Sequence, residues 1–445
     1  MKYKNSDFKN DVYYRQEQFK DLISHARRSG NRILINTIRK LNNCRWARKL
    51  NGEISIQDLF IEYWDEFLQL NHDKEIRPAI IENVTKMIRC RNFDYGYFFY
   101  ECPNCNNFHM QGFTCKSRFC PSCGKKYRDK ISAHVGNKLY KIPHRQLVFT
   151  MPFDLRPYFQ KHRELLNLLF NAVKETLEFL LKYHAPIKYR KEKRKLGFVS
   201  FLHTYGRDLK WHPHIHVLYA ERFLRKDGSF GNFYYLSFEA IRKAFLYILV
   251  NRLKIAFKQN YPLEYKGLYK TCNRIISTYK NGSYFYGKGN NNLYSIKSAK
   301  ATAKYIARYA SHPAISERRI VKIDKDKKEV TWFYDPHEDD TRDEEHKIGR
   351  QYITESIFNF MKRLIIHIPN KNFHQIRYYG FYSNKDKQKN SYKLLFDKKS
   401  IEELLLKWKE GLLASFGYNP LLCECGHEMI LNLEKSFFPN KKGVP

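Results

Sequence analysis

Apolar residues recur along this chain with two different periods, and the changes from one to the other outline its elements. Residues 197–205 and 211–218 are rich in β-branched and aromatic side chains, and Gly206, Arg207, Asp208, Leu209 and Lys210 join them as a turn-forming stretch, so the two read as an antiparallel hairpin. Residues 145–152 read as a further strand. Steps of three and four between apolar positions instead mark helices at residues 31–50, 77–91, 155–183 and 238–257, and a run rich in alanine and lysine marks another at 298–310, stopped by Pro313. The pattern also predicts a strand-rich stretch near 274–286 and a helix over 352–366. Strands interrupted by helices, with an antiparallel hairpin at the centre, give an α+β layer fold with helices on one face of the sheet.

The hairpin carries the most informative residues. Side chains alternate faces along a strand, so in the run Trp211, His212, Pro213, His214, Ile215, His216 the last two histidines point the same way while Ile215 points into a core. Folding the hairpin brings His203 across from them. A lone histidine on a strand is ordinarily a core or surface residue, but three converging imidazoles make a divalent-cation site. In the helix at 298–310, Tyr305 and Tyr309 are four apart and share one face. With 33 tyrosines in the chain, packing in a core is the plain reading of any such pair. Beside a histidine metal site the pair completes the parts for cutting one strand of DNA: a cation polarises the scissile phosphate, a phenolate attacks in line, and a phosphotyrosine holds the new end. Lys304 and Arg308 flank the phenols, where they would lower a phenol pKa or hold phosphate, or serve only as helix-surface charges.

These residues resemble the HUH endonucleases and, within them, the two-tyrosine transposases of rolling-circle insertion sequences. Residues 145–152 look like that family's first core strand, 202–209 lead into the histidine motif as they do there, and Tyr305 to Tyr309 followed by residues 314–320 are similar to its catalytic helix and the strand after it. Relaxases of the same superfamily place a third metal histidine eleven positions before the pair, and 214 − 203 = 11 here. The resemblance covers roughly residues 87–433. It implies a palm-like antiparallel sheet, Mg²⁺ or Mn²⁺ held by His203, His214 and His216, and Tyr305 or Tyr309 as the nucleophile that keeps a 5′ end. Imidazole ligands favour Mn²⁺ over Mg²⁺. The implied partners are single-stranded element termini and target DNA.

Ten cysteines call first for metal rather than disulfides in a reducing compartment. Cys102 and Cys105, then Cys120 and Cys123, form two CxxC knuckles with fourteen residues between them, a pattern suited to one tetrahedral Zn²⁺. Cys115 and His109 lie between the knuckles and could replace a ligand; the transposase family has a similar module, with cysteines matching Cys115 and Cys90. Arg118, Lys125, Lys126 and Arg128, with Lys116, surround Phe119 and Tyr127, offering cations for phosphate and rings for bases. The alternative is a solvated basic surface. Cys423 and Cys425 have one residue between them where the family usually has two, and are left out of the metal set.

Charge agrees with a polyanionic partner: 81 lysines and arginines against 45 acids give +36. Part of the lysine, asparagine and tyrosine excess is explicable by codon bias. No apolar run is long enough to span a bilayer and the N-terminus lacks a signal-peptide core, so a cytoplasmic, nucleoid-associated protein is expected. The expected order is a helical, DNA-binding region at 1–86, a zinc module at 87–142, the nuclease domain at 143–334, and at 335–445 an acidic loop with a helical and tail region. No GxxxxGK[ST] loop is present, so strand separation falls to a host helicase or to replication. A replication initiator or relaxase would share the chemistry, whereas a zinc-dependent DNA-binding regulator would use the histidines structurally. A hydrolytic zinc enzyme of the HExxH kind has no matching motif.

Overall fold

The computed structural model describes residues 55–105, 107–136, 138–140, 142–183, 194–232, 237–288, 314–336, 349–383, 419 and 421–438. In chain order the elements are α1 (Ile56–Leu70), α2 (Pro78–Arg89), β1 (Tyr97–Glu101), β2 (Phe108–Gly112), α3 (Pro121–Gly136), β3 (His144–Thr150), α4 (Arg156–Lys161) and α5 (Leu166–Tyr183). They continue with β4 (Gly197–Tyr205), β5 (Trp211–Ala220), β6 (Arg222–Leu224), β7 (Phe230–Asn232), α6 (Phe238–Asn260), α7 (Pro262–Thr278) and β8 (Phe285–Lys288). The last are β9 (Ile320–Asp324), β10 (Glu329–Tyr334), β11 (Gln351–Ser356), α8 (Ile357–Ile365), β12 (Ile376–Gly380) and β13 (Ile430–Phe437). The class is α+β. The expected helix at 31–50, the tyrosine helix at 298–310 and most of the acidic loop lie outside the described residues.

Two compact units divide the chain, and each is built from separated segments: residues 1–126, 315–368 and 407–445 in one, 127–314 and 369–406 in the other. The first holds two three-stranded antiparallel sheets, ordered β13-β1-β2 and β11-β10-β9. Ser55 caps α1 with a capping box to Asp58. Trp332 on β10 is fully buried, its ring 6.0 Å from that of Phe360 on α8, and its indole N–H donates to Glu355 at 2.9 Å. The expectation of a helix over 352–366 is half wrong. Residues 351–356 pair with β10, Trp332 opposite Ile353, and the helix begins only after Ser356, whose hydroxyl accepts from the Asn359 N–H.

The second unit centres on a five-stranded antiparallel sheet, ordered β12-β4-β5-β3-β8. One face is apolar and lies under helices: Phe149 meets Phe245 of α6 edge-on at 5.1 Å, and Leu147, Phe149, Ile215 and Val217 are fully buried. On the other face lies a cluster of Val135, Leu139, Tyr140, Val199, Phe201, Leu218, Phe381 and Tyr382. Two helical expectations change here. The helix over 155–183 is broken at His162, which leaves helical geometry (φ −109°, ψ 83°) to bond Glu264 at 3.1 Å and pack against Tyr261 at 3.9 Å. Arg163 then lies over the Trp211 ring at 4.0 Å. Residues 274–278, expected in strand, end α7 instead: Leu268, Cys272 and Ile275 recur at helical spacing and are buried, which overrides the β preference of Ile275, Ile276 and Thr278.

Candidate metal and nucleic-acid sites

The hairpin forms as its pattern predicts. In the turn, Leu209 takes a positive φ of 60°, its N–H bonds the Gly206 carbonyl at 3.1 Å, and the Asp208 carboxylate accepts from the Lys210 N–H at 3.1 Å. Pro213 sits inside a central strand, where a missing N–H would ordinarily break a ladder. The register explains its place: His203 is opposite His214 but Tyr205 is opposite Trp211, so Thr204 faces both His212 and Pro213 across a bulge. The irregularity lies directly beside the first histidine of the pair.

Register then collects the three imidazoles. His203 opposes His214, Phe201 opposes His216, and the candidate ligand nitrogens of all three lie within 4.8 Å of one another. Ring centroids are 4.7 Å apart for His203–His216 and His214–His216 and 5.5 Å for His203–His214. The Nε2 atoms of His214 and His216 are 3.0 Å apart, and the Nδ1 of His214 lies 2.8 Å from the His212 carbonyl. An Nδ1–H donated to that carbonyl leaves Nε2 with its lone pair toward the cluster, the arrangement by which an outer partner fixes a metal ligand's tautomer. Burial holds the His214 imidazole down to about 4, and burial followed by the neighbouring His214 and His203 holds His216 well below its ordinary value. Neutral imidazoles are the form that binds a cation. Two ligands at right angles, each roughly 2.1 Å from a divalent ion, stand about 3.0 Å apart, so donor type and spacing both fit. Val148 and Thr150, opposite His216 and His214, continue the same face on β3.

Thiols gather differently from the expectation. The four cysteines of the two knuckles do not form one site. Cys120 and Cys123 meet Cys90 and Cys115, whereas Cys102 and Cys105 meet Cys423 and Cys425. The reason is the hairpin between the knuckles. Cys102 and Cys105 occupy its tip, while Arg91, beside Cys90, bonds Phe113 at its base (N to O, 2.8 Å), and five-residue strands hold tip and base about 15 Å apart. His109 belongs to neither group and stands on β2 opposite Tyr100. Cys90 and Cys115 could be found from the sequence as cysteines flanking the hairpin; Cys423 and Cys425 had only their CxC spacing.

In the first group the Sγ atoms of Cys90 and Cys115 are each 3.6 Å from that of Cys123. Backbone N–H groups of Cys115 and Ser117 point at the Cys90 and Cys115 sulfurs, both at 3.4 Å. Hydrogen bonds from Cys115, Cys120 and Cys90 draw the Cys123 thiol far below its ordinary range. A tetrahedral ion with metal–sulfur bonds of roughly 2.3 Å has sulfur–sulfur edges of about 3.8 Å, so the set fits Zn²⁺. Arg118, Lys125 and Lys126 are half-buried around this group. Arg128, in the other unit, is half-buried and 3.3 Å from Asp129. Tyr305, Tyr309, Lys304 and Arg308 lie outside the described residues. Among the described residues no helix is long and apolar enough to cross a membrane.

Residues 59–151 match the family described as "Transposase zinc-binding domain", and residues 197–390 match the one described as "Putative transposase". The transposase for insertion sequence element IS801 of Pseudomonas savastanoi pv. phaseolicola is 30% identical over 319 residues, covering 70% of this chain and 72% of that protein. The "Putative transposase y4qJ" of Sinorhizobium fredii is 23% identical over 341 residues, 74% of this chain and 80% of its own length. No solved structure gives a significant match.

Proposed function

Because this chain belongs to the insertion-sequence transposase family that includes the IS801 transposase, we propose that it mobilises its element by nicking and rejoining single-stranded DNA through a tyrosine nucleophile. The observation that carries this reading is the convergence of His203, His214 and His216 on one face of the sheet. These three residues would hold one Mg²⁺ or Mn²⁺, which when bound withdraws charge from a non-bridging phosphate oxygen. The phenol oxygen of Tyr305 or Tyr309 attacks phosphorus, giving up its proton, and the bond to the 3′ oxygen breaks. That oxygen leaves as a 3′-hydroxyl while the 5′ end stays on tyrosine. The phosphodiester energy is kept in the phosphotyrosine, so rejoining needs no nucleotide triphosphate. Two phenols four positions apart in the sequence would allow a second cleavage while the first link persists.

In the first unit, Cys90, Cys115, Cys120 and Cys123 would hold a structural Zn²⁺. Arg118, Lys125 and Lys126 beside it, with Arg128, would contact the phosphates of an element end. Strand separation would fall to a host helicase or to replication, and the site of action would be the nucleoid. A replication initiator or relaxase shares the strand-cutting step; an assay of element excision and insertion separates the two.

The direct test incubates single-stranded terminus DNA with Mn²⁺ and the wild type, Tyr305→Phe, Tyr309→Phe and the double variant, and looks for covalent adduct on denaturing gels. Adduct is expected with the wild type and none with the double variant. Persistent adduct in the double variant refutes the nucleophile assignment.

A further inference from the structure

The group made by Cys102, Cys105, Cys423 and Cys425 has a different origin from the first. The stretch matching a transposase zinc-binding domain ends at residue 151, so two of these four thiols lie far beyond it. We propose that these four cysteines bind a second Zn²⁺, which fastens residues 421–438 to the β1–β2 hairpin.

Geometry on both sides of the group supports it. The close contacts run across the two pairs: Cys102 to Cys425 and Cys105 to Cys423, each 3.4 Å between sulfurs. All four sulfurs lie within 4.8 Å of one another. These separations are far longer than a disulfide bond of about 2.05 Å and near the edge of a tetrathiolate site. Each pair sits in a tight turn. At the hairpin tip the Cys102 N–H bonds the Asn107 carbonyl at 2.7 Å. In the C-terminal turn the Cys423 N–H bonds the His427 carbonyl at 2.8 Å, the Gly426 N–H bonds the Cys423 carbonyl at 2.9 Å, and Gly426 takes a φ of 87°. A positive φ at that position turns the chain back on itself, so that the His427 carbonyl can meet the Cys423 N–H and close the turn around the pair.

The strands lead into the same point. β13 pairs antiparallel with β1, Glu101 opposite Ile430, so the ladder ends beside Cys102 of the group and Met429. Among the described residues, Glu101 accepts from Asn432 and Lys435, and the Phe438 ring lies 5.7 Å from those of Phe98 and Phe113, so contacts besides the ladder lie mostly toward the far end of β13. The apolar centre of the junction is Cys102, Leu421, Cys423 and Met429, while Ile430, Leu431, Leu433 and Phe437 along β13 remain exposed. With so few apolar residues buried at the cysteine end, a cross-link there would add stability. Four thiolates also suit Zn²⁺ or a single iron better than hard cations.

The test counts thiol-bound zinc. The purified full chain is treated with a thiol-specific mercurial, and the zinc set free is measured with a metallochromic dye. A cation on the histidines does not enter this count, so failure here leaves the nuclease reading untouched. Two zinc ions per wild-type chain are expected, one for Cys423→Ser/Cys425→Ser and one for Cys90→Ser/Cys115→Ser. Because a variant could misfold, the wild type alone also decides the matter. Under native conditions Cys423 and Cys425 should resist alkylation until a chelator is added, and residues 421–438 should then become sensitive to trypsin. One zinc per wild-type chain, prompt alkylation of Cys423 and Cys425, or an iron–thiolate absorption in place of zinc would each overturn the proposal.

Discussion

Acid should weaken the second unit, and His144 lets one titrating group be separated from the others. Its side chain is buried at the start of β3, and its Nε2 lies 2.6 Å from the Tyr382 hydroxyl, which also accepts the Tyr140 N–H at 3.4 Å. Burial holds this imidazole down to about 4. In the unfolded chain it returns to roughly 6.5, so between these values the unfolded state binds the extra proton. Stability from His144 is therefore complete above about pH 6.5 and is lost as pH falls toward 4. A difference of about 2.5 units amounts to about 3 kcal/mol in full, of which about 1.2 kcal/mol is lost between pH 7.0 and 5.5. His212, His214 and His216 are held down too and add to the slope. Urea unfolding of wild type and His144→Gln at the two pH values isolates the share of His144. Glutamine keeps a hydrogen-bonding group but does not titrate, so the variant should lose less stability on acidification by about 1 kcal/mol. An unchanged difference between the two pH values would refute the assignment of a proton-excluding site to His144.

Two further outcomes follow from the sheet. His214→Ala with His216→Ala should abolish Mn²⁺ binding in calorimetry and cleavage of terminus DNA, while DNA affinity in a gel-shift assay stays within about threefold, since phosphate contacts dominate affinity; retained cleavage would rule out the triad. Gly380→Ala should destabilise the second unit by about 2 kcal/mol or more in denaturant melts, because Gly380 has a φ of 60° and an added Cβ would lie 1.6 Å from the Leu196 carbonyl oxygen.

The local features of the histidine hairpin were legible in the chain itself. Alternation fixed which face His214 and His216 share, and the turn composition of residues 206–210 implied the return that sets His203 opposite His214. Short-range rules were enough because each of those residues lies within one supersecondary unit. They misjudged residues 274–278 and 351–356, where packing and strand pairing outweighed propensity and periodicity. The broken helix at His162 likewise depends on Tyr261 and Glu264, about a hundred positions away.

Cysteine spacing named the right chemistry and the wrong partners. Proximity in sequence joins Cys102 and Cys105 to Cys120 and Cys123, but a stiff hairpin separates the two pairs, and the completing thiols come from Cys90 and Cys115 on one side and from Cys423 and Cys425 on the other. The amino-acid order by itself determined which strands and turns could form and which donor atoms they would carry, because those depend on neighbours a few residues apart. Tertiary structure alone decided which thiols share a centre, since two groups separated by 318 positions are brought within 3.4 Å only by strand pairing and packing of distant segments.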